Sequence, residues 1–362
     1  MLQYILIVVI LSLPILLLSG KRTGKTSVAT FRRVLRVSFL FLTVLLMVLL
    51  VSLFAGSSPG SLFSFLHSAV FWSRSPFESL SSTDQTILFS IRLPRILFAG
   101  VGGGSLAVAG VVFQSLLRNP LADPYVLGIS SGAAVGALAA LLLGIGFSPG
   151  VSGLAFLGAL LTIFLVYGIA RTKTELHSTT LLLSGVIVNA FFSAIIMFLI
   201  ATAGDRSLHN AMFWLMGDLS LAGWKEILMI GLFLFFGFFL IFIHAKDLNL
   251  IAVSEETASQ LGVPVEKTRM LLLLAASLIT GVSVSVSGII GFAGLIVPHI
   301  LRMLLGSDHR LLLPASVFFG SSFLIAADTF ARTLIFPAEL PVGVITALCG
   351  APYFIYLMRR SA

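Results

Sequence analysis

The chain has 362 residues, of which 58% are hydrophobic and only 10% are charged, and its formal net charge is +8. Soluble domains carry about 25% charged residues, so this composition excludes an ordinary globular enzyme. The apolar residues fall in long blocks that are apolar on every face, as in residues 39–54 and 228–242. A transmembrane barrel would alternate apolar and polar residues, so the blocks predict an all-α, polytopic membrane protein.

Ten apolar blocks predict ten core transmembrane helices, since one crossing takes about 20 residues. In chain order they are 35–55, 93–117, 126–146, 152–170, 181–203, 224–244, 270–288, 290–305, 311–331 and 341–358. Residues 1–34 precede this core (35–362) as an extra apolar segment followed by a basic cytoplasmic linker. A secretory signal would carry its positive charge before the apolar stretch, so an extra helix, or an upstream start that is not native, explains the segment better.

The basic residues predict the orientation of the chain. If the segment before the first core helix is cytoplasmic, all but six of the 22 Lys and Arg residues lie inside. The six external ones are Arg74, Arg92, Arg95, Arg206, Lys225 and Arg332. Cytoplasmic loops are enriched in Lys and Arg, so both ends of the core are expected in the cytoplasm. The same enrichment explains the positive charge without a nucleic-acid partner.

Three segments outside the predicted spans have recognisable local patterns. Residues 57–85 predict a partly helical external loop, and residues 205–220 predict a short helix at the outer interface. The longest cytoplasmic joint, 247–268, has Ser254 in front of two acids and Gly262 at its far end. Serine is a favoured N-cap and glycine a favoured helix stop, so a short amphipathic helix is predicted beneath the membrane.

A faint internal repeat occurs at an offset of 178 residues. It pairs Gly103, Ser105, Gly110, Pro120 and Gly128 with Gly281, Ser283, Gly288, Pro298 and Gly306. Five spans separate the two copies, and because this number is odd the second copy would be inverted in the membrane. Shared helix-packing composition explains the same identities without duplication, so both interpretations stay open.

Several common functional sites are not expected. Two glycine-rich stretches, 20–26 and 100–104, imitate nucleotide-binding loops, but neither follows a strand, and the second lies inside an apolar span. The six histidines are scattered and Cys349 is the single cysteine, which predicts neither a metal site nor a redox pair. The spans also lack the series of acids or lysines typical of an ion-coupled transporter.

Several motifs resemble those of FecCD-type permeases, the ten-span permeases of type II ABC importers for iron chelates, haem and cobalamin. The resemblance runs from about residue 35 to the C-terminus through 92–95, 114–124, 127–133, 214–217, 255–262, 291–302, 308–310 and 328–332. These motifs include Arg92-Leu-Pro94-Arg95 and Arg118-Asn-Pro-Leu-Ala-Asp-Pro124. They are specific to the family and say little about the ligand.

The resemblance implies inner gates and a pathway. The implied gate residues are Asn119 and Leu121 in the first cytoplasmic joint and Ser178 and Thr179 in the next, and the implied lining residues are Ser184 and Asn189. Pro120 and Pro124 prevent a regular helix in the first joint, and irregular backbone at membrane depth is tolerated where it lines protein or a water-filled path. A purely structural turn is the competing interpretation.

The resemblance also implies two docking surfaces. The implied coupling residues, similar to the EAA-type helix that sits in a cleft of an ATPase, are Glu255, Glu256, Ala258, Leu261 and Gly262. Arg92, Arg95 and Arg332 would receive acidic residues of a binding protein at the outer face. A plain connector and contact with lipid headgroups are the respective alternatives.

We therefore expect a permease that performs no chemistry and works as a homodimer in the inner (plasma) membrane, in contact with lipid. Two copies of a separate ATPase would bind beneath it, and one periplasmic or lipid-anchored substrate-binding protein would dock above. No cofactor is expected on this chain, because ATP and Mg²⁺ would bind the ATPase. The cargo would be a ferric siderophore, haem or cobalamin. An ion-coupled secondary transporter and a membrane-embedded enzyme are the alternatives; they predict intramembrane carboxylates and a cluster of His or acids, respectively.

Overall fold

The structure, a computed structural model, describes residues 2–19, 30–55, 85–170, 178–220, 223–335 and 338–361. Within these ranges the chain is helical, and the one β contact is an isolated bridge between Ile335 and Ala338. The predicted all-α class is confirmed. The predicted external loop, apart from its last residue, and the glycine-rich stretch at 20–26 lie outside the described residues.

Fourteen α-helices occur in the described part of the chain. They are α1 (Leu2–Ser19), α2 (Phe31–Phe54), α3 (Leu93–Leu116), α4 (Ile129–Leu142), α5 (Ser152–Ala170), α6 (Ser178–Ala201), α7 (Asp205–Leu215), α8 (Trp224–Ile243), α9 (Ala245–Val253), α10 (Glu255–Gln260), α11 (Val265–Ser287), α12 (Ala293–Leu305), α13 (His309–Thr333) and α14 (Val342–Ser361). Single π-helical turns, Ile87–Arg92 and Phe147–Val151, lead into α3 and α5.

Ten of these helices correspond to the ten predicted core spans. Seven are long and apolar enough to cross a membrane, and α4, α12 and α14 contain shorter apolar stretches. The extra N-terminal helix is present as α1, and the predicted interfacial helix is present as α7. The chain is therefore a polytopic membrane protein with an added N-terminal helix.

Three helices form the centre of the bundle. The spanning windows of α3, α11 and α13 are 89%, 78% and 78% buried, whereas those of α6 and α8 are only 22% and 11% buried. Small residues on α3 permit this packing: a Cβ atom on Gly103 would overlap the backbone carbonyl of Gly320 on α13. The glycine-rich stretch 100–104 is thus a helix-packing surface, as predicted from its apolar context.

The helix order repeats in two halves, α2 to α6 and α8 with α11 to α14. In each half the third helix is short and follows a left-handed residue, Gly128 (φ 76°) before α4 and Phe292 (φ 66°) before α12. The contacts between the halves show the same correspondence. The second helix of the first half, α3, packs on α12 and α13, and the second helix of the other half, α11, packs on α4 and α5. Each half contains five spans, so the second is inverted.

The residue pairing at an offset of 178 was wrong, because Gly128 precedes a helix and Gly306 ends one.

The short third helices bring irregular backbone into the bundle. With 14 and 13 residues, α4 and α12 rise only about 20 Å, less than the hydrocarbon thickness of about 30 Å. The predicted span 126–146 was therefore too long. Non-helical backbone at this depth must be buried in protein or line a cavity. The joint between α3 and α4, residues 117–128, is the segment in which the sequence places the first gate.

Candidate functional site

The joint predicted to be cytoplasmic contains two short helices, α9 and α10. The Ser254 hydroxyl accepts a hydrogen bond of 3.2 Å from the Thr257 backbone N–H, which caps α10 as predicted. Gly262, in the left-handed region at φ 86°, follows the end of α10. The capped helix is confirmed, and α9 is an additional helix within the predicted connector.

Two large apolar side chains on this joint are exposed. Val253, at the end of α9, is 79% exposed, and Leu261, at the end of α10, is 63% exposed. Glu256 is also exposed, whereas Ala258 is buried against the rest of the chain. We call Val253, Glu256 and Leu261 the coupling surface. Its two apolar residues lie outside the predicted spans, where lipid would not cover them, so a partner protein is the expected cover.

Asn249 attaches α9 to the membrane-spanning body. Its Oδ1 accepts hydrogen bonds from the His309 backbone N–H (2.9 Å) and from His309 Nδ1 (2.6 Å), at the start of α13. The other ring nitrogen of His309, Nε2, lies 2.5 Å from Ser115 Oγ on α3. His309, one of the scattered histidines, therefore joins three helices, and this role follows only from its contacts in the fold.

Asp308 completes the start of α13. Partial burial opposes its charge, but hydrogen bonds from the Arg310 side chain, from Asn249 and from the Arg310 backbone hold the pKa of Asp308 well below its usual range. The carboxylate accepts from Asn249 Nδ2 at 3.0 Å and from Arg310 Nη2 at 2.7 Å. A negative charge is favourable at a helix N-terminus, so Asp308 stabilises the junction to which α9 is attached.

Glu255, the first residue of α10, forms ion pairs with two arginines of the same chain. Its Oε1 forms an ion pair with Nη2 of Arg269 on α11, whose side chain is only 6% exposed. The same Oε1 lies 3.5 Å from Nη2 of Arg118, in the joint between α3 and α4. Arg118 Nη2 also donates to the backbone carbonyl of Ile251 on α9 at 2.9 Å. Glu255 therefore links parts of this chain, and the coupling role predicted for it stays a prediction.

The first predicted gate lies directly beside this ion-pair cluster. Arg118 adopts the left-handed region at φ 48°, and Asn119 Oδ1 accepts the backbone N–H of Leu121 at 2.9 Å. Asp123 is buried and accepts the backbone N–H groups of Tyr125 and Phe292, the latter immediately before α12. The joint is thus fixed to α12 at Asp123 and tied to the coupling segment at Arg118.

The second predicted gate and the predicted pathway are described only in part. Thr179 is exposed at the start of α6, and the Ser178 side chain lies outside the described residues. Close packing brings the first joint onto α6, because a Cβ atom on Gly185 would lie 2.8 Å from the Val126 carbonyl. The gate assignments stay predictions.

The exposed face of α6 differs from the predicted lining. Ser184 is buried within the single chain, so its placement gives no support to a lining role. Asn189 is partly buried. The exposed face is formed instead by the large apolar residues Leu183, Ile187 and Phe191. The family resemblance suggested Ser184 and Asn189 as lining residues, and that role stays a prediction.

The three arginines predicted for outer-face docking lie around one end of the bundle. The buried Asp328 carboxylate accepts from Nε of Arg95 and from Nε of Arg332, each at 3.0 Å. Arg95 Nη1 also pairs with Glu339 Oε2 at 2.5 Å. Arg92 Nη1 donates to the Leu53 carbonyl at 3.1 Å. Arg95 and Arg332 are therefore not free cations, and docking by these residues stays a prediction.

A hydroxyl pair extends this outer cluster to α2. Arg332 Nη2 donates to Ser52 Oγ at 3.1 Å, and Ser52 Oγ lies 2.6 Å from Thr329 Oγ1. Helices α2, α3 and α13 are thus joined by side chains at this end of the bundle. The spacing of Asp328 and Arg332, four residues apart on a helix, could have indicated their pairing from sequence. The pairing of Asp328 with Arg95 could be found only from the fold, because the two residues are distant in sequence.

Comparison with known proteins finds a transport family and several transport permeases. Residues 42–360 match the family model described as the FecCD transport family. The chain is 47% identical to the cobalamin import system permease protein BtuC of Halobacterium salinarum, covering 76% of this chain and 74% of that protein. It is 40% identical to the hemin transport system permease protein HmuU of Yersinia pestis, covering 87% and 94%.

A further relative and a solved structure agree with these matches. The ABC transporter permease protein YvrB of Bacillus subtilis is 43% identical over 86% of this chain and 91% of its own length. A solved inward-facing metal-chelate type ABC transporter superposes with a TM-score of 0.77 at 31% identity, covering 90% of this chain and 99% of that one. The family match spans nearly the whole ten-helix core. The chain therefore belongs to the FecCD transport family.

Proposed function

We propose that the chain is the permease subunit of an ATP-binding-cassette importer that moves a metal chelate inward by alternating access. The observation that carries the proposal is the coupling surface, whose exposed apolar residues Val253 and Leu261 flank the capped helix α10 of a FecCD-family protein. A separate ATPase that covers this patch would supply the energy for transport. The permease itself performs no chemistry.

The cargo class follows from the relatives. Their names specify cobalamin and hemin, and the superposed structure is of a metal-chelate type transporter. Both named cargoes are large organic metal complexes. We propose that this chain carries a member of that class, a ferric siderophore, haem or cobalamin, delivered by a periplasmic or lipid-anchored binding protein at the outer face.

The assembly we propose is a homodimer with two ATPase copies in the inner (plasma) membrane. The exposed apolar side chains of α6 support a second copy packed beside it, with the pathway along the two-fold axis. Both ends of the core would face the cytoplasm, because that orientation leaves six basic residues outside. The coupling surface then lies on the side where an ATPase meets ATP.

Ion-coupled transport is less well supported. Such a carrier needs a carboxylate that binds and releases its ion within the membrane. The Asp328 carboxylate, buried near the end of α13, is already occupied by Arg95 and Arg332. This arrangement favours a structural role for Asp328.

The first prediction concerns the coupling surface. Leu261→Asp should weaken binding of the ATPase at least ten-fold, because it replaces an apolar contact by a charge that must be desolvated, a loss of about 1.4 kcal/mol or more. Binding of the purified ATPase would be measured on inside-out and right-side-out membrane vesicles that carry the permease.

Leu261→Met is the matched control, because it retains an apolar side chain of similar volume and should bind normally. Wild-type binding to inside-out vesicles alone would also support the orientation. Equal binding of Leu261→Asp and wild type would contradict the coupling assignment, and binding to right-side-out vesicles alone would contradict the orientation.

A further inference from the structure

We infer that Arg118 is a positioning residue that joins the coupling helix to the inner gate through Glu255. This inference rests on the proposed function and adds a physical connection between two of its parts. Arg118 immediately precedes Asn119, a predicted gate residue, and Glu255 is the first residue of α10, the predicted coupling helix. The two side chains meet although 137 residues separate them in sequence.

The first step is the backbone conformation of Arg118. Its φ of 48° lies in the left-handed region, which is unfavourable for residues with long side chains. In the structure the side chain has two partners, the Ile251 carbonyl at 2.9 Å and Glu255 Oε1 at 3.5 Å. Both partners belong to the coupling segment. The conformation at the entrance to the gate is therefore stabilised by α9 and α10.

The second step is the difference between the two ion pairs that Glu255 forms. Its partner Arg269 is buried on α11 and fixes the start of α10 to the membrane-spanning body. The contact with Arg118 is different, because the Arg118 and Glu255 side chains are 40% and 36% exposed. Exposed ion pairs are weak and break readily. The pair with the buried Arg269 thus acts as a pivot, and the pair with the exposed Arg118 is the contact that can change when α10 moves.

The third step is the restraint at the other end of the gate joint. Asp123 is buried and bound to the backbone N–H of Phe292 at the start of α12. Between Arg118 and Asp123, the Asn119 side chain holds the Leu121 backbone at 2.9 Å, so this turn moves as a unit. A displacement of α10 by the ATPase would therefore turn Asn119 and Leu121 about the Asp123 anchor.

The inference predicts a loss of coupling rather than a loss of assembly. In proteoliposomes with the ATPase and the loaded binding protein, Arg118→Asn should reduce the amount of cargo imported per ATP hydrolysed by about five-fold or more. Asparagine tolerates a positive φ, so the backbone is preserved. Affinity for the ATPase should stay within about two-fold of wild type, since Arg118 is not one of the residues of the coupling surface. Arg118→Lys, which keeps the charge, should retain more of the wild-type ratio.

Lys246→Asn is the control, because it removes one positive charge from an exposed side chain on α9 and should leave the ratio unchanged. An Arg118→Asn variant with the wild-type ratio would overturn the inference. If that variant does not assemble, Arg118→Gln is measured instead, and a wild-type ratio of cargo imported per ATP hydrolysed in Arg118→Gln would likewise overturn the inference. Wild-type protein that shows no ATP-dependent import would instead refute the proposed function, whatever the variants do.

Discussion

Replacing Asp328 by asparagine should destabilise the protein by about 3–5 kcal/mol, the cost of leaving a buried charge without its partner. The Asp328 side chain is 1% exposed and accepts from both Arg95 and Arg332, whose side chains are 11% and 7% exposed. Without the carboxylate, two guanidinium groups would face each other in a poorly solvated site. Thermal unfolding in mild detergent would measure the loss.

Glu339→Gln is the matched control for this prediction. Glu339 pairs with the same Arg95, but its side chain is 51% exposed, so its loss should cost at most about 1 kcal/mol. The combined change of Asp328→Leu, Arg95→Met and Arg332→Met should recover much of the stability, because no buried charge is left. Equal destabilisation by Asp328→Asn and Glu339→Gln would contradict this explanation.

Gly110→Ala should also be strongly destabilising. A Cβ atom on Gly110 in α3 would overlap the carbonyl of Gly294 and lie 2.8 Å from its Cα, in the first turn of α12. The obstacle is backbone, which cannot rotate away as a side chain can. Overpacking a core costs about 1–3 kcal/mol, and we expect this case at the upper end of that range.

Gly231→Ala provides the comparison, since nothing lies within 4 Å of the position that a Cβ atom would take at this residue of α8. Alanine is the better helix former, so this change should be neutral or stabilise by up to about 1 kcal/mol. Both variants would be compared by thermal unfolding. A Gly110→Ala protein as stable as Gly231→Ala would show that α3 and α12 are not in close backbone contact.

Helix positions were largely predictable because membrane-spanning segments must be apolar and must satisfy their own backbone. The predicted span 152–170 coincides with α5, and 93–117 differs from α3 by one residue. The short helices were harder to predict. Apolar residues continue beyond both ends of α4, and only the left-handed conformation at Gly128 and the turn at Gly144 limit it.

The sites were less predictable, because their partners are distant in sequence. Ser254 and Gly262 define α10 locally, and the prediction of that helix was correct. The direction in which the Glu255 side chain points depends on its partners Arg118 and Arg269, and neither partner is close to Glu255 in sequence. For the same reason the sequence shows His309 as isolated, although Asn249 and Ser115 hold it in place.

ATP-dependent import by the reconstituted chain tests the central claim most directly. Proteoliposomes would hold the permease with its ATPase, and the binding protein would be loaded in turn with a ferric siderophore, haem or cobalamin. We predict accumulation of one of these chelates that requires both ATP and the binding protein and that persists when ion gradients are dissipated. Uptake that is driven by an ion gradient without ATP would contradict the proposal.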